Sequence, residues 1–117
     1  MSRFEKLNKR VDTWAESKGI LEKATPLTQH GKTEEEVAEL REALFAQQNY
    51  LEKYKNSKGF AVNTIDEIKD GIGDVLVTIL IQCKLNHIDP LECLELALNV
   101  IEKRTGEMIN GTFVKDK

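Results

Sequence analysis

Apolar residues recur along most of the chain at intervals of three and four, which is the spacing of amphipathic helices. Turn and cap signals interrupt this pattern at Gly19, at Asn56-Ser57-Lys58-Gly59 and at Asp89-Pro90, where an N-cap residue precedes proline at the first helical position. The pattern predicts four helices, over residues 3–18, from 25 or 33 to about 54, over 64–86 and over 90–104. The fold is therefore predicted to be all-α.

The third predicted helix carries apolar residues around more of its circumference than a surface helix needs. Thr64 and Glu67 are spaced as a capping box at its start, and from Val75 onward both sides are apolar. Its main stripe consists of Ile65, Ile68, Ile72, Val75, Ile79 and Cys83, and the inward stripe of the second helix consists of Val37, Leu40, Leu44, Gln47 and Leu51. A helix that is apolar on both sides is buried on both sides. We therefore expect a four-helix-bundle-like domain over residues 1–117, completed by packing against another copy as a homodimer or homotetramer.

Composition narrows the class of protein. With 117 residues, of which 40% are hydrophobic and 32% charged, the chain is predicted to form one globular domain. It has neither an N-terminal segment of the signal-peptide kind nor an apolar run of about 18 residues, so a cytoplasmic location without a membrane partner is expected. The net charge of -3 argues against binding to a nucleic-acid backbone. Cys83 and Cys93 lie within apolar helical patterns and are predicted to be buried, reduced thiols.

Acidic residues cluster on two separate predicted helices. The first cluster is the run from Glu34 to Glu39, and the second consists of Glu67, Asp70 and Asp74, which fall within an arc of about 60° on one side of their helix. Like charges so spaced cost roughly 0.2–0.5 kcal/mol per pair. A divalent cation would offset that cost, and carboxylate oxygens suit Mg2+ or Mn2+. The spacing predicts a metal site formed by Glu36, Glu39, Asp70 and Asp74.

Simpler explanations of the same residues stay open. Acidic stripes also occur as solvated helix faces, and Glu36 is spaced from Thr33 as a second capping box. Gly71 and Gly73 lie inside the third helix, where each costs about 1 kcal/mol relative to alanine. Their missing side chains either leave room for a ligand beside the carboxylates or allow two helices to pack closely.

Two motifs in order resemble a known family. Lys32-x-x-Glu35-Glu36-x-x-Glu39-Leu40, followed by the segment from Asp70 to Val77, is similar to the EExxE and ExxD helices of the MazG-like all-α nucleoside triphosphate pyrophosphohydrolases. The resemblance extends over most of the chain, including the Trp14 region, residues 99–104 and residues 106–115, and is to the short, single-domain members of phages and Gram-positive bacteria. It implies a helical bundle that assembles as a dimer or a dimer of dimers. It also implies magnesium-dependent cleavage of a nucleoside triphosphate to the monophosphate and pyrophosphate.

The resemblance assigns roles by position. Glu36, Glu39 and Asp74 match metal ligands, and Glu35 matches an additional glutamate of some members. The glutamate that the family has three residues before Asp74 is Gly71 here. Asp70 is the nearest acid, and Glu67-x-x-Asp70 is an alternative ExxD.

These assignments lead to an expected mechanism. The metal would activate a water for attack on the α-phosphorus, and Glu35 or Glu39 would help to deprotonate that water. Lys32, together with Asn99, Lys103 and Arg104 of the fourth helix, is predicted to bind phosphate or another part of the substrate. Simpler roles would explain these four residues equally well. Lys32 would be a solvated lysine, Asn99 would form an interhelical hydrogen bond, and Lys103 and Arg104 would be cations at a helix C-terminus.

Other functions are compatible with the same pattern. One is a non-catalytic helical oligomer, and another is a module that binds nucleotide or metal without hydrolysis. A third is a related phosphohydrolase restricted to dUTP or to phosphoribosyl-ATP. His30 and His87 form no Glu-x-x-His pattern, which argues against a di-iron carboxylate bundle.

Overall fold

The computed structural model describes all 117 residues and contains five helices and two short antiparallel hairpins. The helices are α1 (Arg3–Ser17), α2 (Ile20–Lys23), α3 (Pro26–Gln48), α4 (Thr64–Leu85) and α5 (Pro90–Ile101). The strands are β1 (Lys53–Lys55), β2 (Ala61–Asn63), β3 (Gly106–Ile109) and β4 (Thr112–Lys115). The chain divides into two compact units, Met1–His87 and Ile88–Lys117.

The prediction of an all-α, four-helix-bundle-like fold is wrong, because both hairpins and the short helix α2 were not expected. The second predicted helix was extended to Tyr54, but α3 ends at Gln48 and Tyr50 has a positive φ of 59°. A helix cannot continue through that conformation. The chain instead turns into β1, which pairs with β2 in the register Tyr54 to Val62.

The second hairpin is turned by two residues in the left-handed region. Asn110 and Gly111 have φ values of 50° and 80° and connect β3 to β4. Asn-Gly is the dipeptide that two-residue hairpin turns prefer, because both positions need a positive φ. The sequence therefore contained a signal for this hairpin that the helical interpretation did not use.

Caps define where α3 and α4 begin. Thr25 caps α3 through a reciprocal capping box with Thr28, which decides between the two predicted starts in favour of Thr25-Pro26. The predicted capping box of Thr64 and Glu67 is wrong. Asn63 caps α4 by accepting a hydrogen bond from the Asp66 amide, and the Thr64 hydroxyl donates to the Leu51 carbonyl at 2.6 Å.

The first unit is built around the contact between α3 and α4, and both helices contribute small buried residues. Ala43 and Ala46 are buried on α3, and Gly71 is buried on α4. The position of a Cβ at Gly71 lies 3.0 Å from Leu40 Cδ1 and 3.3 Å from Leu40 Cα, so any other residue at this position would require Leu40 or α3 to shift. Gly73 has open space around it. Close packing therefore explains Gly71, and the two glycines differ in their surroundings.

Two glutamine amides join the same helices. Gln29 is buried, and its Nε2 donates to the Thr78 carbonyl at 3.2 Å. Gln82 Nε2 donates to the Pro26 carbonyl at 2.8 Å. These bonds satisfy polar groups along the contact and specify how α3 and α4 are aligned.

The large apolar residues predicted to face inward are mostly exposed. Ile68 and Cys83 of the predicted stripe are buried. Six other large residues of the two predicted stripes are exposed: Val37, Leu44, Leu51, Ile65, Ile72 and Ile79. Leu40 of the α3 stripe packs against Gly71, and small buried residues of both helices complete the contact. Cys93 is exposed, which contradicts the prediction that both thiols are buried.

The second unit consists of α5 and the β3–β4 hairpin. Asp89 caps α5 by accepting a hydrogen bond from the Leu91 amide, and Pro90 is the first helical residue, as predicted. Every residue after Pro90 is exposed. No helix in the structure has both the length and the apolar character required to cross a membrane.

Candidate functional site

The structure brings the predicted acidic residues of α3 and α4 into one neighbourhood. Burial raises the pKa of the Glu36 carboxyl, and the nearby charges of Glu39 and Asp74 raise it further. The pKa of Asp74 is raised by partial desolvation first, then by Asp70 and Glu39. Glu36 is buried, Glu39 is half-buried, and both aspartates are exposed. Glu36 and Glu39 of α3 therefore repel Asp74 across the α3–α4 contact, and Asp70 repels Asp74 along α4.

Two lysines partly neutralise this cluster. Lys32 Nζ lies 3.2 Å from Glu36 Oε1 and 3.4 Å from Glu35 Oε1, one turn earlier on the same helix. Lys58 Nζ lies 3.2 Å from Glu39 Oε1 and comes from the loop between β1 and β2. Hydrogen bonding to these carboxylates raises the pKa of both lysines, so both ammonium groups stay protonated at neutral pH.

One carboxylate oxygen of the cluster has no partner. Glu36 Oε2 is buried and accepts no hydrogen bond, although its other oxygen is paired with Lys32. A buried, unsatisfied carboxylate oxygen is unfavourable unless a cation or a donor reaches it. The donor set, oxygen atoms only and excess negative charge, is the one that Mg2+ prefers.

The side chains are not pre-arranged as a closed metal cage. As they are placed, no three acidic, histidine or cysteine side chains converge closely enough to hold a metal ion. Glu36 and Glu39 each point one oxygen toward a lysine instead. The residues therefore fit Mg2+ in donor type and charge, and binding would require their side chains to rearrange.

The β1–β2 loop is fixed to α3 by hydrogen bonds that position Lys58. The Ser57 amide donates to Glu42 Oε1 at 2.9 Å, and the Ser57 hydroxyl donates to Glu42 Oε2 at 3.0 Å. Within the loop, Asn56 Oδ1 accepts from the amides of Lys58 and Phe60. The sequence indicated only a loop here. Lys58 was missed because its approach to Glu39 depends on the hairpin, which was not predicted.

Glu67 lies beside the same hairpin. Burial raises the pKa of the Tyr54 hydroxyl, and the charges of Glu67, Glu42 and Glu39 raise it further. Glu67 is therefore close enough to Tyr54 to influence its ionisation, and Asp70 is the acid whose charge acts on Asp74.

Gly71 occupies the position where the resembled family has a glutamate. A Cβ at this position would meet Leu40 of α3. Asp70 and Asp74 are thus the acidic residues that α4 contributes to the cluster, and position 71 contributes to helix packing.

The remaining predicted site residues are on exposed parts of the chain. Glu35 lies on α3 and pairs with Lys32. Asn99 lies on α5, and Lys103 and Arg104 lie in the turn that follows α5, all three within the second unit. Their predicted contact with a substrate stays a prediction.

Comparison with known proteins identifies a phage relative. The chain is 36% identical over 89 residues to the uncharacterized 18.2 kDa protein in the rep-hol intergenic region of Haemophilus phage HP1. The aligned part covers 76% of this chain and 45% of the phage protein, so the chain spans less than half the length of that relative. No family model matches the chain, and no solved structure matches it. The relative's name describes no activity, so the family suggested by the motifs stays a prediction.

Proposed function

We propose that the protein is a MazG-like, magnesium-dependent nucleoside triphosphate pyrophosphohydrolase, which cleaves an NTP or dNTP to the monophosphate and pyrophosphate. The observation that carries the proposal is the cluster of Glu36, Glu39, Asp70 and Asp74, four carboxylates from two packed helices with one buried oxygen unsatisfied. Two protonated lysines at its edge would recognise phosphate. Homodimer or homotetramer assembly belongs to the same proposal.

Magnesium is the proposed cofactor, with manganese as a substitute. Glu36, Glu39, Asp70 and Asp74 would hold it, since hard oxygen ligands are what both ions bind. When bound, the ion would neutralise phosphate charge and lower the pKa of the attacking water.

The protein's own residues have separable roles in this proposal. Glu35 or Glu39 accepts the proton of a water that attacks the α-phosphorus, and the α–β bond breaks with the electron pair leaving on pyrophosphate. Lys32 and Lys58 exchange their carboxylate partners for phosphate oxygens when the triphosphate binds. Each lysine then acts as a point charge on the substrate.

Product analysis tests the proposed reaction directly. The purified chain is incubated with each common NTP and dNTP, with Mg2+ or with EDTA, and products are separated by anion-exchange chromatography. We expect a monophosphate and pyrophosphate in equal amounts, with turnover abolished by EDTA and reduced at least about 100-fold in Glu39→Gln. Diphosphate with inorganic phosphate would mean cleavage of a different bond and would contradict the proposal.

A matched variant on α3 distinguishes the site from general loss of charge. Glu34→Gln removes an equally charged residue whose carboxylate is exposed and lies 3.5 Å from His30 Nε2, outside the cluster. This variant should retain wild-type turnover. If Glu34→Gln and Glu39→Gln lost activity equally, the cluster would not be the site.

Nucleotide binding without hydrolysis is the alternative that one observation favours. Gly71 stands where the resembled family has a glutamate, so α4 supplies its acids from different positions. Magnesium-dependent binding of a nucleotide, without turnover of any substrate, would support this alternative.

A further inference from the structure

The β1–β2 loop brings the Lys58 ammonium to the edge of the carboxylate cluster. Lys58 Nζ lies 3.2 Å from Glu39 Oε1. The hydrogen bond to Glu39 raises the pKa of Lys58 most, and the charges of Glu35 and Glu36 raise it further. The ammonium therefore acts on three acids of α3 and not on Glu39 alone.

The charge of Lys58 also reaches α4. Desolvation raises the pKa of Asp74 most, and the charges of Lys32 and Lys58 oppose that rise. A cation that stabilises ionised acids weakens the field with which those acids attract a second cation. In the free protein, Lys58 thus neutralises part of the charge on which the proposed metal site depends.

The loop is also attached to α3 at a point outside the cluster. The Ser57 amide and hydroxyl donate to the two carboxylate oxygens of Glu42 at 2.9 and 3.0 Å. Asn56 Oδ1 accepts from the amide of Lys58 itself. These bonds fix the backbone of the loop, so Lys58 stays beside the cluster whether or not its ion pair with Glu39 is formed.

The Lys58 side chain can move without the loop. It is 63% exposed, and the side chain of Glu39 is 32% exposed. Rotation of the lysine into solvent breaks an ion pair that water reaches, and such pairs add little stability. A divalent cation at Glu39 and the ammonium would repel each other at this distance. Binding of the ion therefore displaces Lys58.

We infer that Lys58 competes with the divalent cation for Glu39, lowers the affinity of the free protein for Mg2+ and is displaced when the ion binds. The geometry carries this inference, because one exposed lysine on an anchored loop is paired with a proposed metal ligand. The displaced ammonium is then available to phosphate. The inference rests on the proposed metal site and does not depend on hydrolysis.

Binding of Mn2+ in the absence of nucleotide tests this competition. Free Mn2+ is measured by electron paramagnetic resonance while the ion is titrated into the whole chain, and displacement by Mg2+ gives the same comparison for Mg2+. We expect Lys58→Ala to bind Mn2+ about three- to fivefold more tightly than the wild type, the range that loss of an exposed ion pair allows. Lys58→Arg retains a cation on the loop and should bind Mn2+ as the wild type does.

Lys53→Ala is the matched control. Burial raises the pKa of Tyr54, and the charges of Glu67 and Glu39 raise it further, so Tyr54 lies on the side of the hairpin near the acids. Lys53 is the adjacent residue of β1, and its side chain points to the opposite face. Lys53→Ala removes the same charge from the same hairpin and should leave the affinity for Mn2+ unchanged. Circular dichroism confirms that each variant is folded.

Several results would overturn the inference. Unchanged or weaker binding of Mn2+ by Lys58→Ala would show that the ammonium does not compete. An equal gain in Lys53→Ala or Lys58→Arg would show that the cation at position 58 is not the cause. If no protein bound Mn2+, the inference would fail together with the proposed metal site. Tighter binding by Lys58→Ala alone, without turnover of any triphosphate, would support the inference and contradict only the proposed hydrolysis.

Discussion

At the scale of single residues, Glu36 shows how the acidic helices tolerate their charge. Its carboxylate is buried, one oxygen is paired with Lys32 at 3.2 Å, and the other has no partner. Burial raises its pKa, and Lys32 opposes that effect. A residue selected for stability alone would be apolar at this position, since replacing a buried charged group by a well-packed apolar one is often neutral or stabilising.

Asp74 gives a prediction about pH. Partial desolvation, Asp70 and Glu39 raise its pKa. An acid whose pKa is raised in the folded state favours folding fully below its unfolded pKa, and that contribution is lost as the pH rises through the folded pKa. In EDTA, Asp74→Asn should therefore be more stable than the wild type at pH 7 by a few tenths of a kcal/mol, because Asp74 is exposed and screened.

Urea denaturation of both proteins between pH 3 and pH 8 measures this difference. The gain in the free energy of unfolding should vanish below about pH 4, where the aspartate is protonated in both states. Mg2+ should stabilise the wild type more than Asp74→Asn, because a ligand stabilises the state that binds it. Equal stabilisation of both by Mg2+ would remove Asp74 from the proposed metal site.

Lys58 gives a prediction about substrate recognition. Its ammonium lies 3.2 Å from Glu39 and is carried by a loop that Ser57 fixes to α3. Lys58→Ala should raise KM for the triphosphate by roughly tenfold, the value of one charge-assisted hydrogen bond. Lys53→Ala, at an exposed lysine of the same hairpin, is the matched control and should leave KM unchanged in steady-state kinetics.

At the scale of elements, the α3–α4 contact decides how close the two acidic helices lie. Ala43, Ala46 and Gly71 let the backbones approach, and the amides of Gln29 and Gln82 align them. The acids of both helices meet because of this separation. Helix packing and the candidate site therefore depend on the same contact.

The two glycines of α4 provide a matched pair of substitutions. A Cβ at Gly71 would lie within 3.3 Å of the Leu40 backbone, whereas one at Gly73 meets nothing within 4 Å. Gly71→Ala should destabilise the protein by about 1–3 kcal/mol, because overpacking outweighs the gain in helix propensity. Gly73→Ala should stabilise it by about 0.5–1 kcal/mol.

Thermal and urea unfolding of these two variants would check the contact. The changes in the free energy of unfolding are expected to have opposite signs. Both substitutions add the same atom to the same helix, so the difference would come from the surroundings of the two positions. If Gly71→Ala were as stable as Gly73→Ala, α3 would have moved to accept the methyl group, and the close approach would not be a constraint.

At the scale of the whole molecule, each of the two compact units has large apolar residues on its surface. The exposed large apolar residues of α5 add to those of α3 and α4. Uncovered apolar surface of this extent is typical of a chain that associates. The proposed assembly therefore depends on this surface and is separate from the chemistry of the carboxylates.

Polar substitution on α5 tests the proposed assembly. Leu94→Gln with Leu98→Gln replaces two exposed leucines by residues of similar helix propensity, and we expect a dissociation constant of the oligomer at least about tenfold higher. Leu27→Gln, at a leucine that is 80% exposed on α3, is the control and should not change it. Sedimentation equilibrium measures both constants, and equal weakening by both variants would indicate a nonspecific loss of hydrophobicity.

The sequence by itself determined the local features of this protein. The start of α5 follows from the N-cap Asp89 and from proline at the first helical position, and the acids of α3 and α4 are visible as spaced clusters. Such features depend on residues within one or two turns of one another, so the pattern along the chain contains them.

Only the tertiary structure decided which faces pack and which cation reaches the carboxylates. The predicted stripes contained Leu40, which packs against Gly71, but they omitted Ala43, Ala46 and Gly71, which are buried between or beside the two helices. Lys58 reaches Glu39 because Tyr50 ends α3 and the chain returns through a hairpin. Both outcomes depend on contacts between residues that are distant along the chain, and the fit of small side chains between two helices has no periodic signal in a single sequence.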